Sequence, residues 1–273
     1  MEARLIEAAK NCDVEELETL LRLYPDLDVN WKDTRHRFHK AALHHATYLG
    51  HVETVKALLA HPRINVNVLN KSGYTSFADA CNLGRVPVVK VLLKDPRVDV
   101  TLADKCGHIP LWYASFNGHH EVIEWLIASG RYLGDFKNLK GPWYGIDYTT
   151  IEIARKMNQT EAVSLLERFI ADPTLTRHEL RVKLGMLDEV AAELFALTVF
   201  LCDDLLQLSP APLSTPNPAA SAATRFFVIA KRLPMELQMI LCHHTAGSKK
   251  QNILRKDSET AFKSLARTLL SSQ

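Results

Sequence analysis

A phrase that recurs at a fixed interval limits what this chain can fold into more than any other feature. It reads ALHHATYLGHVETVKALL at 42–59, SFADACNLGRVPVVKVLL at 76–93 and PLWYASFNGHHEVIEWLI at 110–127. In each copy an alanine (Ala46, Ala80, Ala114) precedes a glycine (Gly50, Gly84, Gly118) by four residues. The alanines are 34 residues apart in both steps. A unit of that size cannot bury its own apolar face. A chain made of such units must stack them, each against its neighbours, into an array.

Each copy has the same internal order. A glycine turn comes first, NKSGYT at 70–75 and DKCGHI at 104–109. A short helix follows, then a two-residue break ending in glycine, then a second helix. The second helices carry Val88, Val91 and Leu92, or Val122, Trp125 and Leu126, at spacings that place them on one helical face. Glycine suits the break because a tight helix exit commonly needs a left-handed residue.

These phrases resemble ankyrin repeats, whose pattern is roughly G-x-T-P-L-H-x-A-x3-G-H. Gly73, Thr75, Ala80 and Gly84 carry the match in one unit, and Gly107, Pro110, Leu111, Ala114, Gly118 and His119 in the next. Leu43, His44, Ala46, Gly50 and His51 carry it in the unit before. INVNV at 64–68 and VDVTL at 98–102 resemble the strand-like link between units, where β-branched residues suit an extended backbone. Two degenerate units flank these three. Ala8 stands four before Cys12, and Ala154 four before Asn158, so neither outer unit has the glycine. Extra length lies in TRHRFHK at 34–40 and in 131–148. Atypical outer units are expected where one side faces solvent.

The resemblance implies an all-α fold: an ankyrin-repeat solenoid of helix-turn-helix units joined by short β-hairpin-like links, then a small helical C-terminal region. Five repeats are expected, at 3–33, 34–69, 70–103, 104–138 and 139–170, forming a domain over 1–170. Departures from the pattern fall at the histidine position of T-P-L-H. His44 keeps it, while Ala78, Trp112 and Glu152 replace it elsewhere. Arg85 replaces the histidine after the glycine, and Pro87 sits in the first turn of its helix, where proline is tolerated. These changes are expected to weaken particular interfaces between units.

Beyond 170 the phrase stops. Leu180, Leu184, Leu187, Ala191, Leu194, Leu197, Leu201 and Leu205 step by three and four, as one long helix or two shorter ones within an extension over 171–208. A proline-rich linker over 209–222 follows, then a helical segment over 223–273. Asp257 is placed to cap the last helix, with Ala261, Phe262, Leu265, Leu269 and Leu270 on one face. LPMELQMIL at 233–241 is similar to the opening of an F-box through Leu233, Pro234, Glu236, Leu237, Ile240 and Leu241. That resemblance implies recruitment of a ubiquitin ligase. The plainer reading is an ordinary helix start.

Catalytic and metal chemistry find little support. There is no GxSxG, HExxH or phosphate-binding glycine loop. The twelve histidines include adjacent pairs, but neighbours on a helix diverge by about 100°, so a pair cannot share one metal. No metal, no cofactor and no enzymatic activity are expected. A net charge of +2 argues for no general nucleic-acid surface, and the basic run 34–40 reads as a solvated insert. The apolar run at 194–202 is far short of the ~20 residues a membrane helix needs, and MEARLIEAAKNCDVEEL is too charged for a signal segment. Five scattered cysteines without a CxxC fit reduced thiols inside the cell, in cytoplasm or nucleus.

By the same resemblance, ankyrin repeats bind proteins through hairpin tips and the concave face of their first helices. The corresponding positions are Lys40, Tyr48, Leu49, Lys71, Ser72, Tyr74, Asn82, Leu83, Lys105, His108, Phe116 and Asn117. Tyr48, Tyr74 and Phe116 stand out because aromatic anchors often carry much of an interface's energy. Each could equally pack on a neighbouring unit. The lysines suit a partner with acidic groups at its rim. The expected function is a non-catalytic scaffold for another protein. The alternative is a ligase adaptor using 233–241.

Overall fold

The computed structural model describes residues 1–202 except 35 and 36, and beyond them 226–227, 230, 233, 235–247, 253 and 255–271. The expected linker at 209–222 lies outside the described residues. The chain divides into two compact units, Met1–Leu180 and Arg181–Gln273.

Five helix pairs build the first unit: α1 (Glu2–Asn11) with α2 (Val14–Leu23), α3 (Ala42–Leu49) with α4 (Val52–Ala60), α5 (Ser76–Asn82) with α6 (Val86–Leu93), α7 (Pro110–Phe116) with α8 (His120–Ala128), and α9 (Thr150–Lys156) with α10 (Thr160–Ala171). The first helices of successive pairs touch one another in a row, and so do the second helices, giving two layers. Between the layers lie Leu17, Leu43, Val55, Leu58, Val88, Leu92, Val122 and Leu126, all fully buried.

The alanine-to-glycine phrase has a backbone cause. Gly50, Gly84 and Gly118 are left-handed, with φ of 83°, 63° and 72°. The amide after each glycine donates to the carbonyl of the alanine: His51 to Ala46, Arg85 to Ala80, His119 to Ala114. This six-to-one bond satisfies a carbonyl that the helix end would otherwise leave open. The outer units close the same way without glycine. Cys12 and Asn158 both take φ 57°, and Asp13 and Gln159 donate to Ala8 and Ala154. The degenerate units therefore keep the repeat's turn and lose only its signature residue.

Side chains bridge neighbouring units at the same period. His51 Nε2 donates to the Lys10 carbonyl at 3.0 Å, Arg85 Nε to that of Tyr48 at 3.2 Å, and His119 Nε2 to that of Asn82 at 3.1 Å. Arginine at 85 thus preserves the bond that histidine makes elsewhere, so this replacement does not open the interface. His44 Nε2 donates to the Tyr74 carbonyl at 3.0 Å, and the Trp112 indole reaches the Tyr148 carbonyl at 3.4 Å from the matching position. A second series is invisible in the pattern. Arg63, Arg97 and Arg131 donate to the carbonyls of Leu27, Leu59 and Asp95, each in the preceding unit.

The links at 64–68 and 98–102 are turns rather than strands. Their β-branched residues serve burial: Ile64, Val66, Val68, Val98 and Val100 point inward. The hairpin-like element is the glycine turn, where Asn70 N donates to Tyr74 O and Asp104 N to His108 O. Adjacent turns join through Lys71 N to Phe38 O and Lys105 N to Ser72 O. Among the described residues, strands occur in the excess segment before α9. There β1 (Lys140–Trp143) pairs antiparallel with β2 (Ile146–Thr149), Lys140 opposite Thr149 and Trp143 opposite Ile146. Tyr144 and Gly145, with φ of 49° and 78°, form the tight two-residue turn such a hairpin favours.

Helix α11 (Pro173–Lys183) extends the first unit past the last repeat. Thr176 and Leu180 are buried, and the Arg177 guanidinium lies over the Phe169 ring while its Nε donates to the Ile127 carbonyl. This covers Leu165, Leu166 and Phe169, all buried on α10.

In the second unit, α12 (Leu187–Cys202) packs against both α13 (Met235–Ala246) and α14 (Arg255–Ser271). The leucine line takes the two-helix form, divided at Gly185, φ 69°, into α11 and α12, and Leu205 lies outside the described residues. On α12 the buried face is Ala191, Ala192, Phe195, Ala196, Thr198 and Leu201, with Leu194 and Leu197 half-buried. Small side chains let α14 approach: Ala192, Ala196 and Ala261 form a cluster closed by Ile253, Phe262 and Leu265. Asp257 lies inside the first turn of α14 rather than at its cap, because the helix starts at Arg255. In the F-box-like phrase, Leu233 is half-buried, Leu237 and Ile240 are exposed on α13, and Pro234 lies outside the described residues.

Candidate functional site

The residues expected to meet a partner divide sharply by environment. Tyr48 and Leu49, at the end of α3, are exposed, as are Lys71 and Lys105 at the turn tips and Asn117 at the end of α7. Ser72, Asn82 and Leu83 are half-buried. Asn117 Nδ2 donates to both Oδ1 and the backbone carbonyl of Asn82, at 3.0 and 3.1 Å, tying the ends of α5 and α7 together.

Two expected surface groups are engaged inside. Lys40 is only 13% exposed; its ammonium lies 3.3 Å from Asp79 Oδ2 and 3.9 Å from the centre of the Tyr48 ring. Burial raises the Asp79 carboxyl's pKa against the opposing pull of Lys40. Lys40 therefore neutralises a buried carboxylate and props up Tyr48 rather than standing free. His108 is buried on the turn. Its ring packs 4.0 Å from that of Trp112, Nε2 donates to the Pro142 carbonyl at 3.1 Å, and Nδ1 lies 3.2 Å from the Tyr113 hydroxyl. The β1–β2 hairpin covers it, and that hairpin sits in a segment that the repeat pattern treats only as excess length.

Tyr74 and Phe116 are half-buried members of a larger aromatic assembly. Ring centres run from Tyr74 to Tyr113 at 5.0 Å, Tyr113 to Trp112 at 5.4 Å, Trp112 to Phe116 at 5.2 Å, Phe116 to Trp143 at 5.9 Å, and Trp143 to Tyr144 at 4.7 Å. Trp112 and Phe116 stack with planes 12° apart, while Trp143 meets Phe116 and Tyr144 edge-on. The series ends in the open, since Tyr144 is 88% exposed and Ile146 beside it 57%. Trp143, Tyr144 and Ile146 escape a search keyed to repeat positions. The signal available for them is the residue-glycine pair Tyr144-Gly145 between short alternating runs, which marks a hairpin.

Beneath the ladder lies a polar knot. Tyr113 Oη is 2.7 Å from Tyr74 Oη and 2.7 Å from Asp104 Oδ2. Burial raises the pKa of Asp104, but hydrogen bonds from His108 and Tyr113 together outweigh it and hold the carboxyl below its usual range. Burial, then the bonds to Tyr74 and Asp104, raise the Tyr113 phenol.

Comparison with known families places names on the array. Residues 5–104 match the model "Ankyrin repeats (3 copies)" and residues 106–135 the model "Ankyrin repeat". Neither match reaches α9–α10 or the F-box-like phrase at 233–241. No curated protein matches the sequence. With the helix pairs stacked in two layers and the turns closed on their alanines, residues 5–135 belong to the ankyrin repeats, a domain type for protein–protein interaction.

Proposed function

We propose that the chain is a non-catalytic scaffold, working inside the cell in cytoplasm or nucleus, that binds a protein partner across the turn tips and first-helix ends of its third and fourth repeats and the adjoining hairpin. The observation that carries this reading is the aromatic ladder from Tyr74 to Tyr144. A monomer has no need to hold a tyrosine 88% exposed at the end of a ring stack, beside an exposed isoleucine. Rigid aromatic side chains offer large contact area at small entropic cost, which is why they anchor interfaces. Tyr48, Leu49 and Asn117 extend the surface, and Lys71 and Lys105 set a basic rim suited to acidic groups on the partner.

The test is affinity capture from native extract with quantitative mass spectrometry. Wild type is compared with Trp143→Ala/Tyr144→Ala and with Tyr48→Ala/Tyr74→Ala/Phe116→Ala, each checked for an unchanged helical spectrum. Loss of the same partner from both variants is expected. Undiminished capture by the Trp143/Tyr144 variant would remove the hairpin from the site.

A further inference from the structure

The glycine turn at 104–108 has the backbone of the turn at 70–74 and a different chemistry. In the first, Asn70 Oδ1 accepts from the amides of Ser72 and Tyr74 at 2.9 and 3.0 Å. In the second, Asp104 Oδ1 accepts from the amides of Cys106 and His108 at 2.9 and 2.8 Å. A neutral amide oxygen is therefore enough to hold this turn. Yet where the first turn carries asparagine, serine and tyrosine, the second carries a carboxylate, a thiol and an imidazole. One ligand atom from each of Asp104, Cys106 and His108 lies within 4.8 Å of the other two.

The imidazole is set for ligation. His108 Nε2 faces the Pro142 carbonyl, which can only accept, so Nε2 carries a proton, and it is Nδ1 that the neutral ring offers to a metal. A ring whose far nitrogen donates to a carbonyl is the usual support of a metal-bound histidine. Gly141 leaves room for it, since a Cβ there would fall 2.1 Å from His108 Cδ2. Nδ1 lies 3.6 Å from Asp104 Oδ2, where either a proton or a metal ion can join the two. The Tyr113 hydroxyl lies near both, at 2.7 and 3.2 Å, but has one proton to give. With the ring neutral, two largely buried acceptors share that one hydrogen, and a thiol stands at the mouth.

We propose that Asp104 Oδ2, Cys106 Sγ and His108 Nδ1 bind a divalent, thiolate-accepting metal ion of the zinc class. In a tetrahedron with bonds of about 2.0–2.3 Å, ligand atoms sit roughly 3.3–3.7 Å apart. The carboxylate and imidazole already meet that spacing. Cys106 is exposed, so its side chain can turn inward. A thiolate in the set disfavours magnesium and calcium. The thiol proton passes to solvent as the metal–sulfur bond forms, and three protein ligands leave the fourth position to water or a partner's side chain. Adjacent histidine pairs could not supply such a set; residues two apart on a tight turn do.

Cobalt(II) is the probe, titrated into the reduced full-length chain and read by absorption, with bound metal counted by elemental analysis. One cobalt per chain with a thiolate-to-cobalt charge-transfer band, displaced by zinc, is the expected result. Cys106→Ser should abolish the band, and Cys12→Ser should keep it. Loss of an outer-sphere partner weakens metal sites about 10–100-fold, so losing this ligand should weaken binding by more than about a hundredfold. Asp104→Asn/Cys106→Ser/His108→Tyr gives the second turn the residues of the first and should fold without binding. Absence of the band at saturating cobalt, or its persistence in Cys106→Ser or in the triple variant, overturns the proposal. In the first case a proton alone occupies the Asp104–His108 pair.

Discussion

Leu92→Ala is the sharpest test of the register and of how the array is held together. Leu92 lies on α6, fully buried, with α4 on one side and α8 on the other. Leucine-to-alanine changes in cores cost about 2–5 kcal/mol, the spread reflecting how far the surroundings collapse into the space. Here the second-helix layer is held on both sides by cross-unit bonds. Arg97 Nη2 donates to the Leu59 carbonyl at 2.7 Å, and Arg131 reaches the carbonyls of Asp95, Pro96 and Val98. Little collapse is possible, which places the cost in the upper half, about 3–5 kcal/mol. For a unit of this size that is a fall in melting temperature of roughly 6–20 °C. Urea unfolding followed by helical circular dichroism measures it. A middle unit supports both neighbours, so the variant should also broaden or split the transition as the two halves uncouple. A loss below about 1 kcal/mol with a single unchanged slope would refute both the burial of Leu92 and the claim that its neighbours are fixed.

Four further variants test the same geometry. Burial pushes the His44 pKa down to about 4 from an ordinary 6.5. The unfolded chain thus binds a proton that the folded one refuses, and stability falls as pH drops from 6.5 towards 4, by on the order of 3 kcal/mol; His44→Gln should flatten that slope in urea midpoints taken across the window. Gly84→Ala meets both a left-handed backbone, φ 63°, and the His119 ring at 2.6 Å, so it should lose about 2–3 kcal/mol. Gly185→Ala, φ 69° with open space around it, should lose only about 1–2 kcal/mol, the strain alone; equal melting shifts would contradict this. Arg131→Lys keeps the charge but not the fork that serves three carbonyls, and should cost about 1 kcal/mol in chemical unfolding.

Much of the fold was legible because it repeats. The alanine and glycine at four-residue spacing record a single hydrogen bond, from the residue after the left-handed position back to the alanine carbonyl. The phrase appears wherever glycine takes that left-handed position. In the outer helix pairs Cys12 and Asn158 hold the glycine's conformation, so the phrase there lacks its glycine. The arginine series at 63, 97 and 131 has the same 34-residue period, yet a charged residue in a surface link reads as solvated until its acceptors are seen. The valines of the links were expected in strands, but burial selects β-branched residues as readily as extension does. On α12 the leucines mark the helical period, while close helix approach selects the alanines.

The candidate surface was less legible, and the reason is distance along the chain. Whether Lys40 was free or paired depended on Asp79, and whether His108 faced solvent depended on Pro142 in a hairpin that belongs to no repeat position. Periodicity and local hydrogen bonding are properties of neighbouring residues, so the sequence by itself determined the helix pairs, their order, their stacking and the family. Exposure, charge pairing and the meeting of Asp104, Cys106, His108 and Tyr113 depend on which distant segments are pressed together. Those only the tertiary structure decided.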